Sequence, residues 1–244
     1  MEEINPLRAD LALKVSQFAT DIKTLYDEKL HSFYITGSAI TDDYNEKVSD
    51  INTLLILKEI QLSDLELLWN LGKKYRKKGI SAPICMTPQY ISDSIDVFPI
   101  EFHEFKLIHY CIYGEDLLSN LEINREHLRL QCEREIKTRL INLRQSFLST
   151  LGEGKEITRL LNQSVNGTAP LFRAILRLAN LPVPIKKPEV FTSMQGYMNY
   201  RSDLFANLLL LKEGRLKPSI QEGMRLFKDY YRAIERLGSL INSI

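Results

Sequence analysis

The chain has 244 residues, 44% of them apolar and 26% charged, a globular composition long enough for one or two domains with a real core. No apolar run approaches the roughly 18 residues a membrane span needs, and the polar start MEEINPLRAD is unlike a secretory signal. The net charge of +1 hides an asymmetry: residues 1–118 carry 12 basic and 19 acidic side chains, residues 119–244 carry 20 and 12.

In chain order, residues 6–30 space Leu11, Leu13, Val15, Phe18, Ile22, Leu25 and Tyr26 as a helix does, with Pro6 at its first turn. SFYIT (32–36) and INTLLIL (51–57) read as strands, the second aliphatic enough to be buried. LSDLELLWNLGKKYRKK (62–78) is an amphipathic helix with a basic end suited to the helix dipole. ISAPICM (80–86) is a short strand, and TPQYISDSI (87–95) a short helix capped by Thr87 with Pro88 behind it. DVFPIEFHEF (96–105) alternates like a strand, with Pro99 arguing for an edge or a bulge. After Gly114 strand signals stop. A helix over 124–148 puts Leu128, Cys132, Ile136, Leu140, Leu143 and Phe147 on one stripe. Further helices are expected at 155–163, 168–180, 188–200, 202–212 and 218–241, punctuated by prolines. The expected fold is α+β: a small mixed sheet with flanking helices over 1–118, then an all-α bundle over 119–244. The opposite charges of the halves fit two domains with different jobs, or halves whose charges help them dock.

The chemistry concentrates at FYITGSAITDDYNEKVSDINTLLIL (33–57). A glycine ending a strand turns the backbone sharply and admits a close approach. Ser38 adds a hydroxyl and an N–H. Asp50, at the head of the next strand, is a hard oxygen ligand, and on an extended chain it shares a face with Asn52. Glu101, between Ile100 and Phe102 on the expected 96–105 strand, is the candidate third acid. Asp96 and Glu104 compete for that place.

GS followed twelve residues later by DIN, each among apolar neighbours, resembles the signature of the DNA polymerase beta-like nucleotidyltransferase superfamily, over roughly residues 31–105. With a helical domain behind it, the chain is similar in layout to minimal nucleotidyltransferases, the antibiotic adenylyltransferases among them. The resemblance implies that Gly37 and Ser38 hold a nucleoside triphosphate, with ATP the expected substrate. It implies that Asp50 and Glu101 bind Mg2+ and position the reaction. The product is a nucleoside monophosphate joined to a hydroxyl of a small molecule, protein or RNA. The pattern departs at Asn52, where the family places a second acid. An amide can offer Mg2+ an oxygen but no charge, so the alternative is a nucleotide-binding or regulatory module that has lost turnover.

Elsewhere the signals are plainer. Cys85, Cys111 and Cys132 form no CxxC pair and read as reduced thiols of a cytoplasmic protein. The four histidines make no metal-type cluster. His103 lies two residues from Glu101 and could face the same cleft. The basic side chains of 124–148 either line a solvated helix face or hold an anion. Self-association of the helical half as a homodimer is a third, structural reading.

Overall fold

The computed structural model describes residues 7–46, 49–200 and 203–244. It divides into two compact units, 1–123 and 124–244.

The first unit contains a four-stranded mixed sheet. Its strands are β1 (Leu30–Thr36), β2 (Asn52–Leu57), β3 (Ile84–Met86) and β4 (His109–Gly114), in spatial order β3-β2-β1-β4. β1 runs antiparallel to β2 and β4, and β3 lies parallel to β2. The period-2 alternation of a strand sorts the β1 side chains between two faces. Phe33 meets Phe18 of helix α1 (Ala9–Tyr26) at 5.8 Å, and Phe18 meets Tyr75 of α2 (Leu62–Arg76) at 4.8 Å, which builds one layer. On the other face Tyr34, Leu54 and Ile56 bury themselves with Ile91 of α3 (Pro88–Ser94), Phe102 of α4 (Pro99–Leu107) and Leu118. α2 starts on a reciprocal cap: the Gln61 N–H donates to the Asp64 carboxylate, at 2.9 Å, and the Gln61 side chain accepts from the first turn.

One element differs from the sequence expectation. Residues 99–107 form helix α4, and the strand comes later, at His109–Gly114. Nine residues in which Phe98, Ile100 and Phe102 alternate suit either structure. Pro99 decides it, because proline at the first helical position lacks only an N–H that the helix leaves unpaired anyway. The helix buries Pro99, Ile100, Phe102 and His103. HYCIY, rich in aromatic and β-branched residues, then supplies the edge strand.

The second unit is all helical: α5 (Arg125–Ser149), α6 (Gly154–Ser164), α7 (Thr168–Leu178), α8 (Lys187–Tyr197), α9 (Leu204–Lys212) and α10 (Ile220–Ile241). Phe172, Phe191 and Phe205 from α7, α8 and α9 meet pairwise at 5.4–5.5 Å in its core. Pro188 stands in the first turn of α8, and Ser219 caps α10 with a reciprocal bond to Glu222. Among the described residues no helix is long and apolar enough to cross a membrane.

Candidate functional site

β1 ends at Thr36, and Gly37 bends the chain with φ +70° into a single 3-10 turn, Gly37–Ile40. This is left-handed backbone that a side chain strains. A β-carbon placed there would sit 3.5 Å from Nδ2 of Asn52, so the turn and the start of β2 face each other closely. The Gly37 N–H donates to the Ile108 carbonyl at 3.3 Å, tying the turn to the residue before β4. The Ser38 carbonyl accepts from the Thr41 N–H at 3.0 Å. The half-buried Ser38 side chain makes no hydrogen bond among the described residues.

Cross-strand register completes this corner. Thr36 lies opposite Asn52 on one side and His109 on the other, and directly paired residues share a sheet face. Asn52 is exposed, and its Oδ1 accepts from the Ser81 hydroxyl at 3.1 Å. Ser81 is itself placed by its N–H to the Ile51 carbonyl, at 3.1 Å. Asp50, two residues ahead of Asn52, is exposed and makes no hydrogen bond or ion pair among the described residues. Its neighbour Ile51 bridges Ile80.

The structure thus brings Gly37, Ser38 and Asn52 to one end of the sheet, with Asp50 just before them. Glu101 is placed differently. The sequence set it beside Asp50 as a strand neighbour, but it is exposed in the first turn of α4. The residue after that helix, Ile108, touches the corner through its carbonyl, which accepts from the Gly37 N–H. Six residues of helical rise, about 9 Å, separate Glu101 from Leu107. His103 is on the same helix and 3% exposed, so it belongs to the packing of α4. Among the described residues no three His, Cys, Asp or Glu side chains gather as a metal cluster.

A polar cluster beside the corner went unread in the sequence. The His109 side chain is only 8% exposed, and its Nε2 faces the Asp116 carboxylate at 3.1 and 3.2 Å. Asp116 also accepts from the Ser119 hydroxyl and from the N–H groups of Leu118 and Ser119. Burial raises the Asp116 carboxyl, but the bonds from Ser119 and His109 outweigh it and hold it below the usual aspartate value. With Nε2–H donating, His109 Nδ1 is the acceptor nitrogen; it is buried and has no partner among the described residues. The cluster pins the start of β4 next to the Gly37 turn. After β4 the chain turns back, with the Leu117 N–H donating to the Tyr34 hydroxyl at 2.9 Å, and this return brings Asp116 to His109, a contact that no local sequence pattern signals.

Burial disfavours the thiolate form of two of the cysteines. Burial pushes Cys85 up to about 11, and it raises Cys111 as well, helped by the charge of Asp116. Both stay protonated at neutral pH, and the thiolate is the reactive form. In the helical unit most basic residues of α5 are already engaged. Arg125 donates to the Leu178 carbonyl, Arg129 and Lys137 pair with Glu133, and Arg139 donates to the Ser164 carbonyl and the Thr168 hydroxyl.

No protein-family model and no curated protein sequence matches the chain. Among solved structures it is similar to a spectinomycin adenyltransferase from Enterococcus faecialis, crystallised with ATP and spectinomycin. The TM-score is 0.53 at 12% identity, over 92% of this chain and 99% of that one. The chain has a nucleotidyltransferase-like fold. At that identity the likeness is one of fold, and it extends through the helical half as well as the sheet.

Proposed function

We propose that this protein binds a nucleoside triphosphate, ATP by preference, at the Gly37–Asn52 corner and transfers the nucleoside monophosphate to a hydroxyl of a small molecule. The observation that carries the reading is the left-handed turn at Gly37 packed against Asn52, in a fold shared with an adenyltransferase. Gly37 removes the side chain that would crowd a phosphate, and the unengaged Ser38 hydroxyl is available to donate to one. The acceptor oxygen attacks the α-phosphorus, a new P–O bond forms, and pyrophosphate leaves. A small-molecule acceptor is favoured because the neighbouring adenyltransferase was crystallised with one beside ATP.

Mg2+ usually takes one or two protein carboxylates together with phosphate oxygens. Asp50 supplies one carboxylate and Asn52 a neutral oxygen, a donor set that fits one ion carried in with the triphosphate. When bound, the ion neutralises phosphate charge. Glu101 enters this reading without a role, since its place was argued from a strand that is a helix.

The bond from Ser81 to Asn52 favours a second reading, in which the site holds a nucleotide without turning it over. A neutral pair stands where a charged one would aid transfer. Incubating the full chain with ATP, Mg2+ and a panel of hydroxyl acceptors, and following pyrophosphate, separates the two. Acceptor-dependent release that falls at least about tenfold in Asp50→Ala supports transfer. Release that is equal in wild type and Asp50→Ala ends it, and calorimetric ATP binding without release leaves the binding module.

A further inference from the structure

Between α5 and α10 a slot of about 560 Å³ opens to solvent, lined wholly by the helical unit. Pockets of this size hold small molecules. Its floor is Leu143, Phe147 and Phe227, and the two rings lie stacked, 4.7 Å apart and tilted by 10°. Leu148 forms one wall and is 74% exposed, an apolar side chain that nothing in the unit covers.

The rim is cationic. Arg144, Lys228 and Arg232 surround the slot against one carboxylate, Glu235. Arg144 is held in place: Nε donates to the Tyr231 hydroxyl at 2.8 Å and Nη2 to Glu235 at 3.3 Å. Its remaining nitrogen, Nη1, makes no hydrogen bond among the described residues, and neither does the Lys228 ammonium. Arg232 meets Asp229 only loosely, at 3.7 Å, and is 70% exposed. An orientated guanidinium and an unpaired ammonium above an aromatic floor are the donors a carboxylate attached to a flat ring needs. The ring adds to the stack in offset or edge geometry, and the carboxylate takes charge-assisted bonds.

We propose that this slot binds a small aromatic carboxylate, its ring against Phe147 and Phe227 and its acid held by Arg144 and Lys228. The site lies within one unit and stands independently of the nucleotide reading. Calorimetric titration of the full chain with naphthalene-2-carboxylate tests it, with naphthalene-2-methanol as the neutral match. The acid should bind at least about tenfold more tightly than the alcohol, the step expected of one charge-assisted contact. Lys228→Glu should remove most of that preference with the melting temperature unchanged, because Lys228 is exposed and makes no hydrogen bond or ion pair among the described residues. Phe147→Ala should weaken both ligands. Equal affinity for acid and alcohol overturns the proposal, as does an acid affinity unaffected by Lys228→Glu. So does light scattering that shows a dimer dissociated by Leu148→Glu, which would make a second copy the occupant.

Discussion

At Asn52 the side-chain oxygen already accepts from Ser81, and its nitrogen faces the Gly37 turn. An aspartate there would keep the bond from Ser81 and add a second negative charge beside Asp50. Asn52→Asp should therefore raise Mg2+-dependent pyrophosphate release by about tenfold or more, about 1.4 kcal/mol of barrier. Steady-state assays on the purified variant check this, and an unchanged rate would mean that charge at this position does not limit the reaction. That Gly37, Ser38, Asp50 and Asn52 come to one end of the sheet was legible in the sequence, because they sit close along the chain, between two runs whose aliphatic texture marks them as strands. Ser81 and His109 were not. Each reaches its place through sheet pairing, and a single sequence shows no pairing.

Among the elements, α4 is where local pattern misled. The alternation through Phe98, Ile100 and Phe102 suggested a strand, yet a short apolar run cannot choose its own period. The proline at its head and the packing of Phe102 against Ile91 chose the helix. Where prolines and caps stood at clear boundaries the reading held: α8 begins at Lys187 with Pro188 behind it, and α10 begins after the Ser219 cap. Gly114 closes β4 with φ +82°, and a β-carbon there would lie 2.0 Å from the His31 carbonyl oxygen. Both the backbone conformation and the strand contact forbid a side chain. Gly114→Ala should cost at least about 3 kcal/mol, read as a lower urea midpoint. A loss below about 1 kcal/mol would show that the edge strand can shift to accommodate it.

For the whole molecule, acid should be the weak side of the stability profile. In the first unit the Asp21 carboxyl is held below its ordinary value by Lys74 and Tyr75, and that of Asp64 by the Gln61 N–H and Lys29. In the second, Lys137 and Arg129 lower Glu133, and Ser219 lowers Glu222. A carboxyl whose value is lowered on folding stabilises the native state fully above its unfolded value, and that contribution fades as the pH falls through the folded one. The ordinary values are 3.8 for aspartate and 4.5 for glutamate, so the urea midpoint should hold between about pH 7 and 5.5 and decline modestly below about 4, each surface pair contributing little. A midpoint unchanged at about pH 3 would contradict these assignments. The likeness to the adenyltransferase spans nearly the full length of both chains, and the nucleotide corner is where that likeness would become function. A crystal structure of the full chain with Mg2+ and a non-hydrolysable ATP analogue tests this most directly. It should place a phosphate oxygen about 3 Å from the Ser38 hydroxyl and the ion on Asp50. A triphosphate bound away from the Gly37 turn would contradict the account.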